Sequence, residues 1–486
     1  MIFNNLIQVF VLLVFMFSSC QKDEKVIYPE STTITIITTN DIHANIENFS
    51  RLATLIEQQE TLSDEVLVVS AGDNFTGQPY VDMVKERGKP IIDLMNKVGT
   101  DVCCLGNHEF DYGQEILRKR INEADFPFLC GNINSSSSEL GEVPAFHYET
   151  VNGLKLCFWS ALQIEDINKL PSANPNLFDN ISFTHFKECA PDYKYLDETA
   201  DAFIGLTHLS SKDDSVLAQV MPELDVIIGG HDNVLMPSNS FYNGVLITQA
   251  KNKLEYAGVV TLRFKKNELV ERSFETVKLD ENIEENTEIK EMVEKFIDND
   301  NFKTVVGQAS CDMLNSEYIG SLVTDAMIHS HNADFAIYNE GGIRLKSINQ
   351  GDITYGQVLS IDPFQNKVVL VKMNIQEIKD FIIKNYLYHI QFADKTWVEY
   401  FIGGGKYNII VDGENVSVDL YDNDGTLLVD KDKLYTVAFN DYLIAKNPSL
   451  GEGDNTDSLV ISAILKFLKD VKTVGYNEPR VSIIIR

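Results

Sequence analysis

A chain of 486 residues is too long for one ordinary hydrophobic core, so two domains are the default expectation. The 44% apolar content is that of a globular protein, and 72 acidic against 41 basic side chains give a formal charge of −31. Such a field opposes binding to a nucleic-acid polymer, and an anionic small molecule would have to be drawn in by a local positive source such as metal ions.

At the N-terminus, Leu6 to Phe17 is an apolar run too short to span a bilayer comfortably, followed by Ser18, Ser19 and Cys20. FSSC resembles the lipobox of a bacterial lipoprotein signal, although no Lys or Arg precedes the run and Phe17 stands where Leu is commoner. The resemblance implies a signal over residues 1–20, lipidation of Cys20 and a polar tether over 21–31. The mature protein would then be exported and anchored in the lipid bilayer of the cell envelope, at its periplasmic or cell-surface face. An ordinary cleaved signal peptide stays open, and it too implies export. Cys103, Cys104, Cys130, Cys157, Cys189 and Cys311 lack a paired spacing and read as core residues.

From residue 32 to about 277, β-branched runs alternate with helical patterns: TITIIT, RLATLIEQQE, VLVVS, KPIIDLMNKVG and DVCCLG. That alternation predicts an α/β domain of βα units with a largely parallel sheet. In the charged segment 278–302, Ile289, Met292, Val293 and Phe296 recur at helical spacing, which predicts a connector helix with a solvated acidic face. Residues 303–486 mix strands and helices as a second domain.

Five apolar runs stop on residue types that bind metal. TITIITTN ends in Asp41 and His43, VLVVSAG in Asp73, DVCCLG in Asn107 and His108, AFIGLT in His208, and DVIIGG in His231 and Asn233. In an open α/β sheet the carboxyl ends of the strands share one edge, where ligands bind. Singly, each signal is weak: Asn107 alone reads as a turn former, and a lone His after a strand as a hydrogen-bonded loop residue. Jointly they predict one metal-binding edge. Oxygen and imidazole donors without thiolate suit Zn, Mn, Fe or Co.

The set D-x-H, GD, GNHE-x-D, an isolated His and GGH-x-N resembles the calcineurin-like metallophosphoesterases, and in order and spacing it is similar to the bacterial 5′-nucleotidase family. The resemblance implies an N-terminal metallophosphoesterase β-sandwich flanked by helices and a C-terminal α+β 5′-nucleotidase substrate domain. It implies two divalent metal ions, one held by Asp41, His43, Asp73 and Asn233, the other by Asp73, Asn107, His208 and His231, with Asp73 bridging. His108 would face the transferring phosphoryl group and Asp111 would orient it; Asp111 reads equally well as a helix N-cap before YGQEILRKR. Glu109 has no role in this reading.

In the second domain EYIGSLVTDAM, AIYNEGGIR, DPFQN, NDYLI and GEGD resemble the substrate domain of the same family. The resemblance implies that Phe364 and Tyr442 sandwich a nucleobase, that Asn339 and Arg344 contact the nucleotide, and that Asp454 lies near the ribose hydroxyls. The expected activity is hydrolysis of nucleoside 5′-monophosphates to nucleoside and phosphate. Nucleotide sugars, 2′,3′-cyclic nucleotides, other phosphate or sulfate esters, and a non-catalytic surface binding protein are the alternatives. Two departures bear on substrate: Glu340 stands where the family commonly has Gly, and Met313, Leu314 and Asn315 occupy a stretch where it usually has an arginine.

Overall fold

A computed structural model describes residues 31–391 and 394–486. The expectations for the signal, for Cys20 and for the tether up to residue 30 fall outside the described residues. The other six cysteines are free thiols, four of them fully buried. No helix among the described residues is long and apolar enough to cross a membrane.

The first domain is a sandwich of two six-stranded sheets, where the periodicity had suggested one largely parallel sheet. Its strands are β1 (Ser31–Thr39), β2 (Glu65–Ser70), β3 (Val102–Cys104), β4 (Phe128–Leu129), β5 (Phe146–Val151), β6 (Leu154–Trp159), β7 (Ala202–Leu206), β8 (Val226–Ile228), β9 (Phe241–Tyr242), β10 (Val245–Thr248), β11 (Tyr256–Lys265) and β12 (Glu268–Lys278). One sheet runs β12-β11-β1-β2-β3-β4 and the other β9-β10-β8-β7-β6-β5. Each has a parallel centre: β1 to β4 pair in parallel, as do β6, β7, β8 and β10. Antiparallel strands close both edges of the second sheet and the β12 edge of the first.

Period-two alternation explains why these strands read as unbroken apolar runs, since both faces are covered. Ile34, Ile36, Leu67, Val69, Val102 and Cys104 point inward against Leu156, Phe158, Ile204 and Val226 of the other sheet. Their neighbours Ile37, Val68 and Cys103 point outward under helices. The helix Phe49–Glu60 offers Phe49, Leu52, Ala53, Leu55 and Ile56 to that outer layer, and each large side chain so buried contributes roughly 1.5–3 kcal/mol.

The connector forms a helix over Thr287–Ile297, shorter than the segment 278–302. Asn286 caps it by accepting from Ile289 N at 3.1 Å. Ile289 and Val293 join the first domain's outer core, with Met292 and Phe296 packed against it, so the helix is fastened to one domain.

The second domain is α+β. Its main sheet orders Tyr400–Gly403, Phe335–Asn339, Leu434–Asn440, Lys367–Asn374 and Asp454–Leu459, with apolar clusters on both faces. Helices Ser316–His331 and Val460–Val471 cover one face and Ile375–His389 the other.

Candidate active site

The loops leaving β1, β2, β3, β7 and β8 meet at one edge of the sandwich. The β1 and β2 loops run side by side, with Asp41 N, His43 N and Ala44 N donating to the carbonyls of Gly72, Asp73 and Asn74 at 2.8–3.0 Å. Asp41, His43, Asp73, His231 and Asn233 all adopt positive φ, between 48° and 89°. Non-glycine residues seldom take that conformation, and such strain persists where surrounding structure over-determines it, as at ligand clamps. Gly106 has to be glycine because an added Cβ would stand 2.2 Å from Asp73 Oδ1.

Asp73 is the hub. Its Oδ2 lies 3.2 Å from His208 Nε2 and 3.9 Å from both His43 Nε2 and His108 Nε2. Two groups of ligand-type atoms share it: His43, Asp73 and His108, and Asp73, His208 and His231, each with its atoms within 4.8 Å of one another. Asp41 is fully buried behind them, 3.9 Å from His43 Nε2, and its carboxylate accepts from His231 N at 3.0 Å.

The donor set fits a divalent cation centre. Asn107 spends its Nδ2 on Ser172 O at 3.0 Å, which leaves Oδ1 at 3.1 Å from His231 Nδ1. Asn233 donates Nδ2 to His231 O, and its buried Oδ1 has no hydrogen-bond partner among the described residues. His208 Nδ1 is engaged by Ala71 O at 2.7 Å, and its buried Nε2 faces the Asp73 carboxylate at 3.2 Å. Outer hydrogen bonds of this kind fix ring orientation and free the ligating atom, and buried orphan acceptors are otherwise costly.

The electrostatics set His208, which keeps its proton beside Asp73, apart from the neutral His43 and His231. Burial raises Asp41 to about 7, partly countered by His208. Burial also pushes Asp73 up, but His208 and His108 outweigh it and hold the carboxyl well below its ordinary range. His208 in turn is lifted to about 10: desolvation opposes its charge, and the Asp73 carboxylate overrides that. His231 is depressed to about 4 by burial and by His208, and burial with Arg344 depresses His43. Neutral imidazoles are the form that ligates.

His108 Nδ1 meets Asp111 Oδ2 at 2.7 Å; desolvation works against the imidazolium, but Asp111 and then Asp73 outweigh it and raise the pKa. Asp111 does not cap the following helix: it lies in the 3-10 turn His108–Tyr112, and Gly113 precedes the helix Gln114–Glu123. The role that sequence reasoning missed belongs to Glu109. It is fully buried and accepts from Asp73 N (2.8 Å), Gly106 N (2.7 Å) and Asn74 N (2.7 Å), tying the β2 and β3 loops together. Its place directly after the Asn–His pair was the available signal.

A cavity of about 320 Å³ runs from this edge to the second domain, lined by His43, Asp73, Asn107, His108, Asp111, His231 and Asn233 on one side and by Asn339, Arg344, Phe364 and Tyr442 on the other. Phe364 stands 5.9 Å from the His108 ring, centroid to centroid. Arg344 Nη2 lies 2.9 Å from His43 Nδ1. Burial raises the Tyr442 phenol, which is hydrogen-bonded to Ser172. An ion pair between Lys446 and Glu165 also crosses the domains.

Asp454 is not brought to this cavity. It is exposed on the edge strand Asp454–Leu459, opposite Leu370, because the segment from Lys446 through the 3-10 turn Pro448–Leu450 lengthens the path from Tyr442; Asp441 lines the cavity instead. Glu340 turns to Lys346, with Oε1 at 2.6 Å from Nζ. Met313 is buried and backbone-bridged to Ile348, and Asn315 caps the helix Ser316–His331, so these positions serve packing and capping.

A β-sandwich whose strand ends gather Asp, His and Asn at one buried edge defines a metallophosphoesterase, a hydrolase class that uses divalent metals. Residues 34–235 match the calcineurin-like phosphoesterases and residues 297–449 the 5′-nucleotidase C-terminal domain, together more than half of the chain. The chain is 29% identical to a 5′-nucleotidase of Vibrio cholerae serotype O1 over 79% of its own length and 82% of that protein. It is 26% identical to the endonuclease YhcR of Bacillus subtilis over 87% of its own length, and spans 39% of that longer protein. The fold superposes on a 5′-nucleotidase precursor from Thermus thermophilus with a TM-score of 0.79 at 22% identity, covering 93% of this chain and 99% of that one. The chain belongs to the 5′-nucleotidase family of metallophosphoesterases.

Proposed function

We propose that the protein is a two-metal phosphomonoesterase that hydrolyses nucleoside 5′-monophosphates to nucleoside and phosphate. The observation that carries this reading is the single cavity with metal-ligand side chains at one end and Phe364 and Tyr442 at the other.

Asp41, His43, Asp73 and Asn233 would hold one ion and Asp73, Asn107, His208 and His231 the other. Two divalent ions, when bound, supply Lewis-acid charge for the phosphate and acidify a water for attack at phosphorus. With two carboxylates among seven ligands, a net positive charge is left facing an otherwise acidic protein.

The chain's own residues do the rest. His108 presents Nε2 toward the cleft while Asp111 holds Nδ1, so the ring can donate a proton to the departing 5′ oxygen. Phe364 and Tyr442 line the cavity on the second domain's side, and a base stacked on such rings gains roughly 1–3 kcal/mol. Asn339, held through its Oδ1 by Asn440 Nδ2 at 2.9 Å, offers its amide to the nucleoside. Arg344 Nη2 donates to His43 Nδ1. Were His43 to hold an ion through Nε2, its ring proton would sit on Nδ1, donor would face donor, and the guanidinium would be free to turn to the phosphate.

The test is phosphate release by the chain without residues 1–20, with Mn²⁺, Zn²⁺ or Co²⁺ added, comparing AMP with p-nitrophenyl phosphate and an EDTA control. Preference for AMP that EDTA abolishes is the expected result. Activity on the aryl phosphate alone would sink the nucleotide reading and leave the metal site standing. We further propose export and anchoring through Cys20: Cys20→Ala is expected to shift the protein from the membrane to the soluble fraction, and unchanged partition would refute the anchor.

A further inference from the structure

A second cavity, of about 420 Å³, lies against the first and shares His43, Asn233 and Arg344 with it. It faces away from Phe364 and Tyr442, neither of which lines it. Its other polar walls come from Asn45, Gln78, Asn252, Lys253, Lys346 and Ser347, and no Asp or Glu lines it. In a chain with a formal charge of −31, a cavity with three cations and no carboxylate in its wall is a local inversion of the field.

Two of those cations, Lys253 and Arg344, have no ion pair among the described residues. Lys253, at the exposed mouth, makes no ion pair and no side-chain hydrogen bond among the described residues; the carboxylate that acts on it, Glu255, is taken by Lys251 at 2.6 Å. Partial desolvation, and then the charges of Arg344 and Lys346, hold its ammonium below the ordinary lysine range. Arg344 has a neutral imidazole and no carboxylate as its partner. Lys346 is matched by Glu340, which stands outside the cavity wall. The Lys253 backbone is also fixed: its N donates to Asp41 O at 2.8 Å with φ at 54°, so the side chain is carried by the same loop junction that carries the metal ligands.

Like charges converge at a cost unless an anion joins them, and the Asn252 amide and Ser347 hydroxyl in the wall can donate to oxyanion oxygens, while Asn45 and Gln78 spend amide protons on Ile42 O, His43 O and Asn45 Oδ1. We propose that Lys253 and Lys346, beside the Arg344 that both cavities share, form a second oxyanion subsite, which takes a phosphate group other than the one being hydrolysed. This rests on the phosphomonoesterase reading for the first phosphate. The second group could be tethered, as the outer phosphate of a nucleoside diphosphate, in which case water attacks the inner phosphorus, the bond to the 5′ oxygen breaks and nucleoside and pyrophosphate leave, or free, as released orthophosphate; both present the same tetrahedral oxyanion.

The experiment titrates inorganic phosphate into the metal-loaded full-length chain by calorimetry, for wild type, Lys253→Gln, Lys346→Gln and the charge-retaining Lys253→Arg. In parallel, kcat/KM is measured for ADP and AMP. The expected result is two phosphate equivalents on wild type, with the second weakened by ~10-fold or more in Lys253→Gln and kept in Lys253→Arg. A matching fall in the ADP to AMP ratio identifies the tethered phosphate; an unchanged ratio identifies orthophosphate. Phosphate isotherms and ADP to AMP ratios that are the same in all four proteins overturn the subsite. Failure to hydrolyse AMP would refute the phosphomonoesterase reading, while the calorimetry still decides the subsite.

Discussion

The two walls of the cleft are held by different means. On the first domain's wall, five of the seven ligand-type residues sit at positive φ, and buried side chains such as Glu109 and Asn40 pin the loops that carry them. On the second domain's wall, Asn339, Arg344, Phe364 and Tyr442 sit on ordinary backbone, and of the DPFQN loop only Gln365 has positive φ. Ligand donors must converge to within tenths of an ångström, so their loops store strain and tie themselves together. A stacking face tolerates looser placement, because any aromatic plane offers contact over a wide area. The contrast predicts all-or-none effects on one wall and graded effects on the other.

Asp73→Ala breaks the hub, and is expected to abolish metal binding by elemental analysis and to lower turnover by roughly 10²–10³-fold or more. Near-normal turnover would overturn the metal-dependent reading itself. Glu109→Gln keeps volume but weakens the acceptor for three backbone N–H groups; metal affinity should fall about 10- to 100-fold. Metal titrations that match wild type would show that the loops hold their geometry without it.

Alanine at Phe364 or Tyr442 should act more gently, raising KM for AMP roughly 5- to 100-fold while leaving p-nitrophenyl phosphate little changed. Equal effects on both substrates would refute base stacking and erase the contrast between the walls.

Smallest is a pH effect behind the Phe364 loop, where burial raises Asp362 to about 8 although Asn366 Nδ2 donates to it at 2.8 Å. The folded protein keeps a proton there that the unfolded chain sheds above about pH 4, so this stabilisation is complete below that pH and fades as pH climbs toward 8. Asp362→Asn should flatten the fall in Tm between about pH 5 and 8; a slope identical to wild type would mean that Asp362 ionises without cost.

Much of the first wall was legible in the sequence. Apolar runs ending in Asp41 and His43, in Asp73, in Asn107 and His108, in His208, and in His231 and Asn233 placed seven candidate ligands and the catalytic candidate His108 at strand ends, because a strand buried on both faces can show polar residues only where it stops. Periodicity did not show the sheet partition, since the same runs suit one parallel sheet or two stacked mixed ones and pairing is a long-range choice; the sandwich was implied by the family resemblance alone. Glu109 went unassigned because a clamp on backbone N–H groups has no sequence signature beyond a buried acid. Asp454 was misplaced because spacing along a chain does not measure the detour taken by Lys446 to Gly453.

What the sequence determined by itself is the identity and order of the chemical groups, since residue types at strand ends are local facts about the chain. The tertiary structure decided which atoms meet: that Asp73 stands between two ligand groups, that Arg344 faces His43 across the domains, and that Lys253 is left without a carboxylate. These depend on loops far apart in sequence being packed to within hydrogen-bond distance, and local propensity carries no information about that distance.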